Sequence, residues 1–217
     1  MTHLVDYTQV SCALDDATTS VEAYADTLEA QVAQYDNYVL IGDSFGALVA
    51  LALATRRPKG LRALVISGGF AVNPVEDWFT KLKLLLARSL PKWLYRPVTL
   101  KLHARALASK EDATGSTSWS ARDTYRLFVE HTPYESYVAR SRASQFADYS
   151  GVLDRIEVPT LILTPSDDTL IGKSASTLLR EGIKDAREVV IPHTGHMFRF
   201  SHPDVYSLEI AKFLNQI

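Results

Sequence analysis

Cysteine is nearly absent from this chain, with Cys12 the only one among 217 residues. A single thiol closes no intrachain disulfide and builds no Cys-rich metal site, so a reducing interior is compatible and the fold must rest on its core. Long apolar runs are missing too, and no stretch reaches the roughly 18 residues of a membrane span. The start, Met1-Thr2-His3-Leu4-Val5-Asp6-Tyr7, lacks the basic residues and following apolar run of a secretory leader. These absences lead us to expect a soluble, cytoplasmic protein. Positive charge is not in excess either. A net charge of −2 excludes a generally basic nucleic-acid binder while leaving room for a local basic patch.

The remaining composition is that of an ordinary globular chain, with 47% hydrophobic and 22% charged residues, which argues against long disordered tracts. Its length suits one domain with a good core, or a core plus a small excursion. No internal repeat is found. Leu4 to Tyr7 is a short strand candidate. Ser20 is placed to cap a helix over 21–35, where Val21, Ala25, Leu28, Val32 and Tyr35 recur at three- and four-residue steps. A buried strand over 38–41 follows, then a helix over 45–56 stopped by Arg57, Pro58 and Gly60, then a strand over 61–67. This alternation with short connections predicts a parallel sheet with helices on both faces.

The pattern changes between about Phe70 and Val158, which is helical in character, broken by Pro91, Pro97 and Pro133, and carries a Ser/Thr-rich loop over 109–120. It returns to strand at 158–163, helix at 172–182, strand at 188–191 and a terminal helix at 203–215.

The sequence is organised around Gly42-Asp43-Ser44-Phe45-Gly46, with an apolar strand before it and an alanine-rich helix after it. These are the surroundings that a Gly-x-Ser-x-Gly nucleophile elbow needs. Side chains at either glycine are expected to collide with the neighbouring strand or helix. The turn would lift Ser44 to the carboxyl edge of the sheet. The helix starting there would aim its free N–H groups at a developing oxyanion, with Phe45 N–H as the donor that follows the nucleophile.

A serine hydroxyl is a weak nucleophile at neutral pH and needs a base, which in turn needs an orienting acid. Asp168 follows a buried strand, and His196 lies in the loop after the next one, so both can reach the sheet edge that holds Ser44. The chain order Ser, Asp, His is that of triads on such sheets. A metal pair at His193 and His196 has little to support it, with no cysteine available and no Glu beside His193. His3 and His103 read as surface or packing residues, and no cofactor is implied.

Together, Gly42 to Gly46, Pro159 to Leu163 with Asp168, and Gly195-His196 followed by Pro203 and a terminal helix resemble the α/β-hydrolase superfamily. Within it, the chain is similar to small serine esterases with a helical cap between the sixth and seventh core strands. The resemblance implies a three-layer α/β/α fold with a mainly parallel sheet. Residues 1–69 and 155–217 would form the core and 70–154 the cap. It maps the catalytic acid to Asp168, ahead of Thr169-Leu170-Ile171, with Asp167 as the competing candidate and Pro165 where relatives usually carry Gly.

In such relatives a second oxyanion donor comes from the loop after the third strand, and no such segment is recognisable among the 43 residues before Ser44. Residues 4–7 and 21–35 look like the fourth strand and the helix after it, which leaves a gap beside strand 38–41. Three arrangements would meet this. Strand 4–7 pairs with strand 38–41, two chains join into a homodimer through exposed strand edges, or the sequence is a truncated form of a longer enzyme.

Between Trp78 and Lys110 the chain carries Lys81, Lys83, Arg88, Lys92, Arg96, Lys101, Arg105 and Lys110 and no acidic residue. This suggests cap helices with a cationic outer face and an apolar underside, or a docking surface for an anionic partner. The function expected is hydrolysis of a small carboxylic ester or thioester through an acyl-enzyme on Ser44. The alternative is a binding module that keeps the scaffold but is catalytically weak or silent.

Overall fold

A computed structural model describes residues 3–14, 18, 20–74, 89–109 and 118–217. Its elements in chain order are α1 (Val21–Val32), β1 (Tyr38–Asp43), α2 (Phe45–Ala54) and β2 (Leu61–Ser67). A helical turn (Lys92–Leu94), a π-helical turn (Tyr95–Leu100), α3 (Lys101–Leu107), α4 (Ala121–His131) and α5 (Tyr134–Gln145) follow. A 3₁₀ segment (Ser150–Arg155), β3 (Thr160–Pro165), α6 (Lys173–Gly182), β4 (Ala186–Ile191), α7 (Phe198–Ser201) and α8 (Pro203–Leu214) complete it.

The four strands form one sheet in the order β1-β2-β3-β4, and every pairing is parallel. Alternation along β2 and β3 sends side chains to two separate cores. Leu64, Ile66 and Ile162 pack with α1, α2 and α6, whereas Ala63, Val65, Leu161 and Leu163 pack with Phe198, Tyr206, Ile210 and Phe213 on the other face. Strands buried on both sides need near-continuous apolar sequence, which is what both supply. Helix α2 is likewise apolar all round, because it lies between the sheet and α1, and Ala47 to Ala54 are all buried. Ser20 caps α1 by accepting from Ala23 N–H at 3.2 Å. Gly60 takes a φ of +84° in the turn into β2, where a Cβ would lie 2.7 Å from the Tyr35 carbonyl oxygen.

The expected strand over residues 4–7 does not form. Tyr7 N–H donates back to the Leu4 carbonyl at 3.3 Å, closing a turn, and the Gln9 side chain donates to the same oxygen at 3.1 Å. The physical reason lies in burial. Only Leu4 is buried, against the α7/α8 side of the sheet, while Val5 is 77% exposed, so nothing draws this segment into the ladder beside β1. Strand β1 is therefore the edge of the described sheet.

Among the described residues, the region between β2 and β3 is helical, and its one link of strand type is an isolated antiparallel bridge between Val72 and Asp148. Of the basic run, Lys81, Lys83, Arg88 and Lys110 lie outside the described residues. Lys92 is paired with Glu135, and Arg96, Lys101 and Arg105 are exposed. Trp93, an apolar residue of this segment, is 74% exposed.

Candidate active site

The ends of all four strands open at one edge, and the side chains singled out above meet there. Ser44 follows β1 and carries a φ of 53°, a left-handed value that a residue with a Cβ rarely adopts. Ser44 N–H donates to the Ser67 carbonyl at 2.9 Å, which ties the strained turn to β2. Gly42 is required in this turn, because a Cβ there would lie 2.6 Å from Ala47 Cα and 2.6 Å from the Gly46 carbonyl oxygen. The steric expectation for Gly46 is not met, since a Cβ there has no neighbour within 4 Å. The second glycine that the elbow needs is Gly69, whose Cβ would lie 2.5 Å from both Ala47 Cβ and Ile66 Cγ2.

His196 Nε2 lies 3.0 Å from Ser44 Oγ, and His196 Nδ1 lies 2.7 Å from Asp168 Oδ2. The other Asp168 oxygen accepts from the N–H groups of Leu170 and Ile171 at 2.8 and 3.0 Å. These bonds hold the carboxylate independently of the imidazole. Both side chains are almost withdrawn from solvent, at 7% and 2% exposure. Of the two candidate acids, Asp168 is the one on the imidazole, whereas Asp167 N–H donates to the Thr194 carbonyl at 2.9 Å. Gly68, with a φ of +48°, lies below the pair, and a Cβ there would stand 3.6 Å from His196 Cε1. His193 is exposed, with its backbone N–H on Ser166 Oγ, and does not join His196.

Phe45 opens α2, so its N–H belongs to the first turn, which has no helical carbonyl to bond. Its ring meets Tyr24 of α1 edge-on, with centroids 5.2 Å apart, which holds the residue after Ser44 in place.

A cavity of about 980 Å³ opens above Ser44 and His196. Phe70, Leu107, Leu127, Phe128, Leu170 and Phe200 make much of its wall apolar. Three features of this wall escape the sequence reading. Asp43 accepts from Ser67 Oγ at 2.6 Å and faces Arg199 at 3.5 Å, so the elbow's acidic residue is held from β2 and from α7. Leu14 reaches the cavity because the Gln31 side chain clamps Ala13, accepting from its N–H at 3.0 Å and donating to its carbonyl at 2.7 Å. His103 of α3 lines the cavity between the rings of Phe128 and Tyr137, each 5.6 Å away. Burial, followed by the neighbouring His196, pushes its pKa down to about 4. No local signal marks any of the three, since each depends on partners far away in sequence.

A parallel α/β sheet carrying this serine, histidine and aspartate at its carboxyl edge defines a fold class, and comparison with known proteins agrees. The model of the alpha/beta hydrolase family matches residues 3–207, and the chain belongs to that family. A carbamate hydrolase by name, RutD of Klebsiella pneumoniae (strain 342), is 26% identical over 186 residues, which is 82% of this chain and 65% of that protein. The chain thus spans just under two thirds of the length of such relatives. Among solved structures, an esterase from Exiguobacterium antarcticum superposes with a TM-score of 0.77 at 17% identity, covering 93% of this chain and 76% of that one. The enol-lactonase of Burkholderia xenovorans LB400 gives 0.71 at 20% identity, covering 90% and 73%. These two likenesses are of fold. Among the described residues, no helix is long and apolar enough to cross a membrane.

Proposed function

We propose that the chain is a serine hydrolase that cleaves a small carboxylic ester, thioester or carbamate through a covalent acyl-enzyme. The observation that carries this reading is the unbroken relay from Ser44 Oγ through His196 to Asp168, with contacts of 3.0 and 2.7 Å at the floor of the cavity. The name of the RutD relatives adds the carbamate, whose carbonyl accepts the same attack.

In this mechanism His196 Nε2 takes the proton from Ser44 Oγ as the oxygen bonds to the substrate carbonyl carbon. The resulting oxyanion accepts from Phe45 N–H, and the imidazolium is stabilised by Asp168, which does not itself take the proton. His196 then gives its proton to the leaving group, and the carbonyl re-forms as the acyl-enzyme. Water enters by the reverse roles and frees Ser44. We assign residues 70–154 as a cap over the core of 1–69 and 155–217; its apolar lining favours small to medium acyl groups.

The test is fluorophosphonate labelling of the chain and of Ser44→Ala, with hydrolysis of p-nitrophenyl acetate measured alongside. Labelling is expected for the natural chain only, with a rate roughly 10⁴–10⁶-fold lower for the variant. Equal rates for the two would remove Ser44 from the mechanism. A folded chain that fails to label would instead be a silent binding module.

A further inference from the structure

Resting on the hydrolase reading above, we propose that His103 is a substrate-contacting residue whose imidazole hydrogen-bonds a polar group next to the scissile carbonyl. The substrates favoured would be short esters or carbamates that carry a hydroxyl or N–H beside the reacting carbon, over plain alkyl esters.

Helix α3 brings His103 into the wall of the cavity that holds Ser44 and His196. Its surroundings there are aromatic and aliphatic, with Phe128, Tyr137, Leu107 and Leu127 nearby or lining the same wall. A neutral imidazole has one donor and one acceptor, and His103 is only partly buried, so its ring nitrogens are open to the cavity and not enclosed by protein. His103 makes no hydrogen bond to any described residue. Two other polar side chains in the wall are already engaged: Asn73 donates to the Ser144 carbonyl at 2.9 Å, and Arg199 faces Asp43 and lies over the Phe200 ring.

Burial and the proximity of His196 keep His103 uncharged at neutral pH, so it presents an N–H and a ring nitrogen without placing a second cation by the catalytic imidazole. His103 and His196 line the same cavity. A residue needed only for packing would do better as Leu or Phe, which carry no polar atom to desolvate. A hydrogen-bonding group on the substrate supplies the missing partner, whether it sits on the acyl or the alcohol side.

Two pairs of near-isosteric esters separate those sides. On the acyl side, p-nitrophenyl hydroxyacetate is compared with p-nitrophenyl propionate. On the alcohol side, 2-hydroxyethyl acetate is compared with propyl acetate. For each pair the ratio of kcat/KM is measured in the natural chain, in His103→Phe and in His103→Gln. Intrinsic reactivities cancel when ratios are compared between proteins.

Loss of one hydrogen bond to a buried partner predicts that His103→Phe lowers the hydroxyl preference by about 10-fold or more in one pair, with His103→Gln keeping part of it. Ratios unchanged in both pairs overturn the inference. If His103→Phe shows no cooperative melting, His103→Leu takes its place. Fluorophosphonate labelling of the natural chain keeps the two readings apart. Labelling with unchanged ratios removes His103 alone, whereas a chain that neither labels nor turns over any ester removes the hydrolase reading and this inference with it.

Discussion

The sheet-borne floor of the cavity and its helical wall are built on different principles. On the floor, Ser44, Asp168 and His196 follow β1, β3 and β4 of one parallel sheet, and each is fixed by at least one contact of 3.0 Å or less. In the wall, α4 buries only Thr124 and α5 only Ser136, Ala139 and Ala143. Polar end contacts help to hold these helices, with a capping box between Ser120 and Asp123 and the Tyr95 hydroxyl donating to the Thr132 carbonyl at 2.7 Å. The floor has the rigidity that a reacting geometry needs. The wall can exchange side chains at little cost to the core, which suits a surface that selects substrates.

The largest expected effect probes the floor. Asp168→Asn keeps the size of the side chain but loses the charge that stabilises the imidazolium, so ester turnover should fall by about 10⁴-fold with little change in KM. Steady-state kinetics on p-nitrophenyl acetate would measure it. A loss of less than 10-fold would mean that the floor does not depend on this relay.

A smaller effect separates the two glycines of the elbow. Gly42→Ala forces a Cβ against the backbone of Ala47 and should destabilise the fold by about 1–3 kcal/mol, seen as a fall of several degrees in thermal midpoint. Gly46→Ala meets open space within a helix and should leave the midpoint unchanged or raise it slightly. Similar losses from both would contradict the packing described at the elbow.

The same division governs what could be read in the sequence. Strand β2 falls at 61–67 as its apolar run indicates, and β1, β3 and β4 differ from expectation only by residues at their ends; β2 and β3 are buried on both faces, and β1 and β4 keep short apolar runs at the sheet's margins. Ser44, Asp168 and His196 were legible because each follows directly on such a strand. Leu4 to Tyr7 misled because four residues of suitable type carry no information about whether a neighbouring strand will pair with them. Gly46 was credited with a steric role that belongs to Gly69, a residue distant in sequence that packs on the same alanine. In the wall, His103 looked like any packing histidine. Its position over the site depends on how α3 docks, and periodicity does not encode docking.

The last prediction returns to the wall and needs only the folding equilibrium. His103 has an ordinary pKa of 6.5, which the fold lowers to about 4. Between these values the unfolded chain binds a proton that the folded chain does not, so this residue makes stability rise with pH across that window. Its contribution is fully present above pH 6.5 and is lost progressively as the pH falls toward 4. In His103→Phe nothing at this position titrates, so the thermal midpoint should depend less steeply on pH between 6.5 and 4 than in the natural chain, while the two curves run parallel above pH 7. The difference between the curves reports His103 together with its electrostatic coupling to His196. Curves parallel throughout would show that His103 is as readily protonated in the fold as in water, and would place it outside the apolar wall.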